Sequence, residues 1–170
     1  MYNLGNCYKL KNENLRAIDI LKRCIEIKKD NEDAYYNIGK IYDDICDNSK
    51  AIEYYKKAIE IKPNFSEAYN NLGIKINDIG DISQAILLYK KAIFYNSNNE
   101  DAYNNLGVSF QELKQISDAI NSYKNAIKIN KNYAAAHSNL AHALLLDGQY
   151  EEGWREYEYR SKKSGGPQPH

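Results

Sequence analysis

The sequence predicts an all-α protein, a right-handed solenoid of antiparallel helix pairs in about four full units preceded by a truncated one. Three observations carry that prediction. The block Asp101-Ala102-Tyr103-Asn104-Asn105-Leu106-Gly107 repeats Glu67-Ala68-Tyr69-Asn70-Asn71-Leu72-Gly73 and Asp33-Ala34-Tyr35-Tyr36-Asn37-Ile38-Gly39 at a constant offset of 34 residues, and a fixed period of this length marks stacked supersecondary units. Nine Gly and three Pro in 170 residues leave few breakers in a chain rich in Ala, Ile, Lys and Glu, a composition that favours helices. Apolar residues at Ile38 and Tyr42, then at Ala51, Ile52, Tyr55, Ala58 and Ile59, keep the i, i+3, i+4 spacing of amphipathic helices.

Taken in order, the truncated unit (about 1–31) keeps a second helix from Leu15 to Ile27. Units 32–65, 66–99 and 100–133 each pair two helices: Asp33 to Asp44 with Ser49 to Ile61, Glu67 to Asp78 with Ile82 to Tyr95, and Asp101 to Leu113 with Ile116 to Ile129. The last unit, 134–163, pairs Ala134 to Leu146 with Tyr150 to Lys162. Ala17, Ala51, Ala85 and Ala119 precede Leu21, Tyr55, Tyr89 and Tyr123 by four residues, and Cys24, Ala58, Ala92 and Ala126 follow those by three, so small residues recur where two helices touch. No pair buries its apolar stripe alone; stacking buries it, and a small rotation per unit winds the array into a superhelix whose concave face is lined by the first helix of each pair. The tail 164–170, Ser-Gly-Gly-Pro-Gln-Pro-His, has the composition of a flexible linker.

The order of aromatic, Leu-Gly, aromatic, Ala, aromatic and Pro from Tyr35 to Pro63 resembles the tetratricopeptide repeat, and the resemblance extends from Met1 to about Lys162. Lys29, Ser97 and Lys131 stand where Pro63 stands in the second unit. The resemblance implies a protein-protein interaction module, an adaptor or scaffold that holds polypeptide in its groove.

One register of the first helices stands out. Asn3, Asn37, Asn71, Asn105 and Asn139 each fall just before the Leu or Ile of the repeat. Twenty-one asparagines among 170 residues do not by bias alone fill five of five positions of one register. A carboxamide is both donor and acceptor, so one Asn pairs with the N–H and C=O of an extended peptide whatever its side chains. First helices roughly 10 Å apart and a chain rising about 3.3 Å per residue would bring each Asn to about every third peptide residue. The alternative is that these side chains tie one repeat to the next. Tyr36, Lys40, Asn70 and Asn104 complete the expected groove lining. Asp33, Asp43, Asp44, Glu67, Asp78, Asp101 and Glu112, opposed mainly by Lys9 and Lys40, form an acidic rim that favours basic segments through on-rate and specificity and does not suit a Lys/Arg carboxylate clamp.

The last unit departs from the pattern. Leu145 and Leu146 replace the polar pairs Asp43-Asp44, Asn77-Asp78 and Gln111-Glu112, and Gly153 replaces the repeat Ala inside a helix at about 1 kcal/mol, as if Trp154 or another backbone approached closely there. With Tyr157 and Tyr159 these residues gather an apolar docking surface, principally Leu145, Leu146, Trp154 and Tyr157, where a terminal cap would be polar. An atypical cap is the alternative. The asparagine register and the segment from Leu144 to Arg160 resemble the superhelical repeats of O-linked N-acetylglucosamine transferases and their bacterial relatives, which implies a substrate-recruiting region for a glycosyltransferase domain outside this sequence. Self-association through the terminal repeats is a further expectation.

Charge and composition exclude other classes. Twenty-three basic and 23 acidic side chains cancel, so there is no bulk field for nucleic acid or for anionic membranes. No spanning run or secretory leader is read, which makes the cytosol the expected location. Cys7, Cys24 and Cys46 show no metal or disulfide spacing and read as small buried apolar residues. His137 and His142 are five apart and do not share a helix face as a metal pair would; His137 reads as packing. No cofactor, metal or catalytic motif is expected, and the chain alone is not read as an enzyme.

Overall fold

The computed structural model describes residues 13–163, with the side chains described as far as Tyr159. Among the described residues nine helices follow one another: α1 (Asn14–Ile27), α2 (Glu32–Asp44), α3 (Asn48–Ile61), α4 (Ser66–Asp78), α5 (Ile82–Tyr95), α6 (Glu100–Glu112), α7 (Ile116–Ile129), α8 (Ala134–Leu146) and α9 (Tyr150–Lys163). Helix bounds agree with the sequence expectation to within one residue at every end. Asn3, Lys9, Cys7 and the tail 164–170 lie outside the described residues.

Local chemistry sets those ends. Asn31, Asp47, Asp81 and Asn99 accept from the backbone N–H of Ala34, Lys50, Gln84 and Ala102, relieving one orphan donor of each helix start. Each first helix ends in a left-handed residue at one repeat position: Cys46 (φ 60°), Gly80 (φ 89°), Lys114 (φ 61°) and Gly148 (φ 82°). There the N–H of the following residue reaches back to Tyr42, Ile76, Phe110 and Leu144, a Schellman closure. Cys46 is therefore not the buried apolar residue expected of it. It is exposed in a turn, while Cys24 is buried.

Helices α2 and α3, α4 and α5, α6 and α7, and α8 and α9 form the antiparallel pairs, and each second helix packs on the next first helix. Successive first helices α4, α6 and α8 also touch. Within a pair the lock is glycine against tyrosine. A Cβ on Gly39, Gly73 or Gly107 would fall 2.7, 2.6 or 2.5 Å from a ring carbon of Tyr55, Tyr89 or Tyr123, so those tyrosines lie flat on bare backbone and are almost fully buried. In each of the three repeats from 32 to 133 three alanine positions, such as Ala34, Ala51 and Ala58, have no exposed surface. The core is accordingly a continuous strip running from Ala17 to Leu106, continued by a second cluster from Ala119 to Leu144. This is the quasi-linear burial expected when each unit covers its neighbour. Among the described residues no helix is long and apolar enough to cross a membrane.

Candidate functional site

The first helices α2, α4, α6 and α8 bring the asparagine register into one row, and its side chains are half-buried. The donors point backwards along the array. Asn71 Nδ2 donates to Tyr36 Oη at 3.1 Å, Asn105 Nδ2 to Asn70 Oδ1 at 3.0 Å, and Asn139 Nδ2 to Asn104 Oδ1 at 3.0 Å. Each link spans 35 residues, so Asn71, Asn105 and Asn139 each reach the residue just before their own counterpart in the preceding repeat. Asn37, at the start of the described ladder, also donates to the Asp33 carbonyl at 2.8 Å.

These ties correct the expected lining. Asn70 and Asn104 are 6% and 7% exposed; their oxygens receive the ladder, so they stand behind the groove surface. Tyr36 takes the same role in the second repeat. It lies between Phe65 and Tyr55, at ring separations of 4.9 and 5.8 Å, with Lys40 Nζ 5.6 Å from its centroid. Burial, with the carboxylates of Glu67 and Asp101, pushes the Tyr36 phenol up to about 12 against the opposing hydrogen bond from Asn71.

A second row crosses the same face nearer the helix C-termini. Lys75 Nζ lies 2.7 Å from both Asp43 and Asp78, Ser109 Oγ donates to Asn77 Oδ1 at 3.1 Å, and Asn77 Nδ2 reaches the Glu112 carboxylate at 3.3 Å. Gln111 Nε2 meets His142 Nδ1 at 3.0 Å. Lys75 was not singled out from sequence. Among the described residues its repeat position holds Ile41, Ser109 and Ala143 and is buried in each copy, so a lysine among apolar and small residues was the available signal. Burial pulls the Lys75 pKa down, but hydrogen bonds and charge from Asp43 and Asp78 more than offset it, leaving the ammonium above its usual value. Two carboxylates of the expected acidic rim are thus already neutralised. Asp33, Glu67 and Asp101 along one margin, and Asp44 and Glu112 along the other, remain exposed outside that pairing, with Asp101 accepting from Tyr133 Oη at 2.6 Å.

Family models for the tetratricopeptide repeat match residues 1–35, 32–65 and 54–86, and a TPR repeat model matches 77–114 and 112–148. The chain is a tetratricopeptide repeat protein. Solved TPR-type structures resemble it along most of its length. MamA is 26% identical with a TM-score of 0.84, over 95% of this chain and 94% of that one. The pilF protein of Pseudomonas aeruginosa is 19% identical with a TM-score of 0.87, over 99% and 76%. YrrB, described as a TPR protein with an unusual peptide-binding site, is 18% identical with a TM-score of 0.74, over 94% and 82%. No curated protein matches the sequence.

The last repeat of this TPR protein is built differently. Leu145 is half-buried, because its Cγ and Cδ2 occupy the space 2.9 Å from where a Cβ on residue 153 would stand, with Ala141 O at 3.3 Å. The close approach to Gly153 therefore comes from Leu145, not from Trp154. Leu146, Trp154 and Tyr157 are 57%, 56% and 42% exposed, joined by Tyr150 at 64%, and Trp154 meets Tyr157 edge-on at 5.7 Å. Trp154 occupies the repeat position of Ile18, Ile52, Ile86 and Ile120, of which only Ile52 is half-buried and the rest buried, and Tyr157 that of Leu21, Tyr55, Tyr89 and Tyr123, all of them buried. His137 is buried, as its packing role required. Its Nε2 donates to the Lys131 carbonyl at 3.0 Å, its Nδ1 faces Glu156, and its ring stacks on Tyr159 at 4.1 Å.

Proposed function

We propose that this TPR module holds an extended polypeptide along its concave face, as an adaptor or scaffold, and that the asparagine row supplies acceptors to the peptide backbone. One observation carries this reading. Among the described residues, Oδ1 of Asn105 and Asn139 accepts no hydrogen bond, and Tyr55 Oη is the sole sealed side-chain polar atom without a partner. Those two oxygens are therefore open to solvent while the amide nitrogens are pinned from behind. A carboxamide held in this way offers a fixed acceptor to any passing N–H. The exposed carboxylates on both margins add a preference for basic segments, expressed in association rate and salt dependence. YrrB, with its peptide-binding site, shares the fold.

The test is a panel of unrelated extended peptides against the chain, with side-chain amide resonances as readout. Asn105 and Asn139 amide signals should shift with most peptides, and peptides N-methylated at every third residue should bind weakly. The Asn105→Ala/Asn139→Ala variant should lose binding across the panel. Ser66→Ala, which removes the 2.8 Å hydrogen bond that Asn99 donates to Ser66 from the neighbouring repeat, should keep it. Shifts confined to other faces, or full binding by N-methylated peptides, refute the backbone-acceptor reading.

The exposed terminal face favours a second reading, in which the groove recruits substrate for a glycosyltransferase domain packed on α9. Tyr157 stands in a position that every earlier described repeat buries, and Trp154 in one buried as Ile18, Ile86 and Ile120. Trp154→Glu should then abolish docking of such a domain without disturbing peptide capture.

A further inference from the structure

The second helices carry the outer face of the solenoid, and their register allows a comparison of one repeat with another inside the same molecule. On α1, Asp19 and Arg23 form an i, i+4 ion pair at 3.2 Å, and on α3 the same positions pair Glu53 with Lys57. On α5 they are Leu87 and Lys91, and on α7 Asn121 and Asn125. One turn further, Glu26 and Glu60 give way to Phe94 on α5 and to Lys128 on α7. Helix α5 alone among the four thus exchanges both acids for large apolar groups.

The exchange leaves a surface with a definite shape and charge. Leu87 is 54% and Phe94 81% exposed, and seven residues apart they lie on one stripe of the helix. The lysines flank that stripe on opposite sides: Lys90 Nζ sits 5.7 Å from the Phe110 ring of α6 and Lys91 Nζ 5.5 Å from the Tyr69 ring of α4. Among the described residues neither lysine meets a carboxylate, and α5 itself carries no acidic residue. Between these side chains runs a groove of about 310 Å³ lined by Gln84, Leu87, Leu88, Lys90, Lys91 and Phe94.

We propose that the outer face of α5 is a docking site for an acidic amphipathic helix of a partner protein, which sets its apolar residues on Leu87 and Phe94 and its carboxylates on Lys90 and Lys91. An apolar stripe between two uncompensated cations is the complement of a helix with i, i+3, i+4, i+7 anchors and acidic shoulders. A two-fold pairing of α5 with its copy would instead place lysines against lysines. Two lysines are too small a cluster to hold an anionic bilayer, and a groove fits a convex helix better than a flat membrane. This site lies on a second helix and is independent of the concave face, so its failure leaves the groove reading untouched.

The probe is a synthetic peptide of about 16 residues, long enough for four helical turns, with Leu and Phe anchors and Glu on both shoulders, titrated into the full chain. A second peptide keeps the anchors and carries Lys on the shoulders. The acidic peptide should bind saturably and more weakly as salt rises, and the lysine peptide should not. Leu87→Glu/Phe94→Glu, which restores the pattern of α3 on an exposed face and so preserves the fold, should weaken binding at least about tenfold. Lys90→Glu/Lys91→Glu should reverse the preference between the two peptides. The proposal is overturned if the acidic peptide does not bind, or if it binds the Leu87→Glu/Phe94→Glu variant unchanged. It is equally overturned if the wild type sediments as a dimer that this variant dissociates, or if the chain floats with phosphatidylserine vesicles through this face.

Discussion

Replacing Asn105 by Ala separates a structural ladder from a side chain that only faces solvent or ligand, and it does so by the sign of the stability change. Asn105 lies inside α6, where Ala is the better helix former by about 0.5 kcal/mol. A side chain with no structural partner would therefore leave the protein more stable when removed. The structure instead has Asn105 Nδ2 donating at 3.0 Å to Oδ1 of Asn70, a residue only 6% exposed. Loss of that donor strands a buried acceptor at about 1–3 kcal/mol. The net expectation is destabilisation by about 0.5–2.5 kcal/mol. Urea unfolding followed by circular dichroism gives the magnitude. Because repeat arrays can lose cooperativity, amide exchange should place the loss at the boundary between α4 and α6 rather than throughout. A higher urea midpoint for Asn105→Ala, or unchanged protection in α4 and α6, would refute the ladder as a repeat-to-repeat tie.

Three further perturbations probe the scaffold. Lys114→Gly removes a left-handed non-glycine residue (φ 61°) and should raise the urea midpoint by the equivalent of about 1 kcal/mol, while Gly80→Ala lowers it. Gly73→Ala sets a Cβ 2.6 Å from Tyr89 Cε1 and should cost about 1–3 kcal/mol, with near-ultraviolet circular dichroism reporting a displaced tyrosine. Alkali should unfold the chain cooperatively. Burial is the leading cause raising the Tyr36, Tyr55, Tyr89, Tyr123 and Tyr133 phenols, with Tyr36 at about 12. Unfolded tyrosine ionises near 10, so above that pH the unfolded chain binds fewer protons than the folded one. Stability contributed below pH ~10 is then lost as pH rises toward the raised values, by up to about 1.4 kcal/mol per pH unit for each phenol. Helicity that persists unchanged to pH 12 would contradict that burial.

Helix positions were legible in the sequence because a 34-residue period, the i, i+3, i+4 spacing of apolar residues and recurrent small residues all point to the same boundaries. The asparagine register was legible as a register but not as a geometry. Whether Asn105 faces a ligand or Asn70 depends on how far one first helix slides past the next, and no single repeat encodes that. The same reason hid Lys75, whose two carboxylates come from α2 and α4. Cys46 was misread because apolar character and small size do not reveal a positive φ, although Gly80 and Gly148 at the same repeat position carried the hint. Gly153 was read correctly as a site of close approach. The approaching group, Leu145, comes from the partner helix, and spacing within one helix does not identify it.

The two readings of the asparagine row, tie and peptide track, are opposed only while the carboxamide is treated as one group. Its nitrogen and oxygen face different ways in Asn105 and Asn139: Nδ2 is committed to the preceding repeat, and Oδ1 is not. Pinning the nitrogen removes the rotamer freedom that an exposed side chain would otherwise lose on binding. On the proposed reading it also fixes what Asn105 and Asn139 offer a ligand, which is an acceptor each. The exposed carboxylates of Asp33, Glu67, Asp101 and Glu112 are acceptors as well. On that proposal the face selects ligands rich in donors, namely an extended backbone with free N–H groups and lysine or arginine side chains at its edges. The neutral net charge of the whole chain conceals that local bias, because Lys75 on this face answers only Asp43 and Asp78 while cations such as Lys90 and Lys91 stand on the outer face of α5.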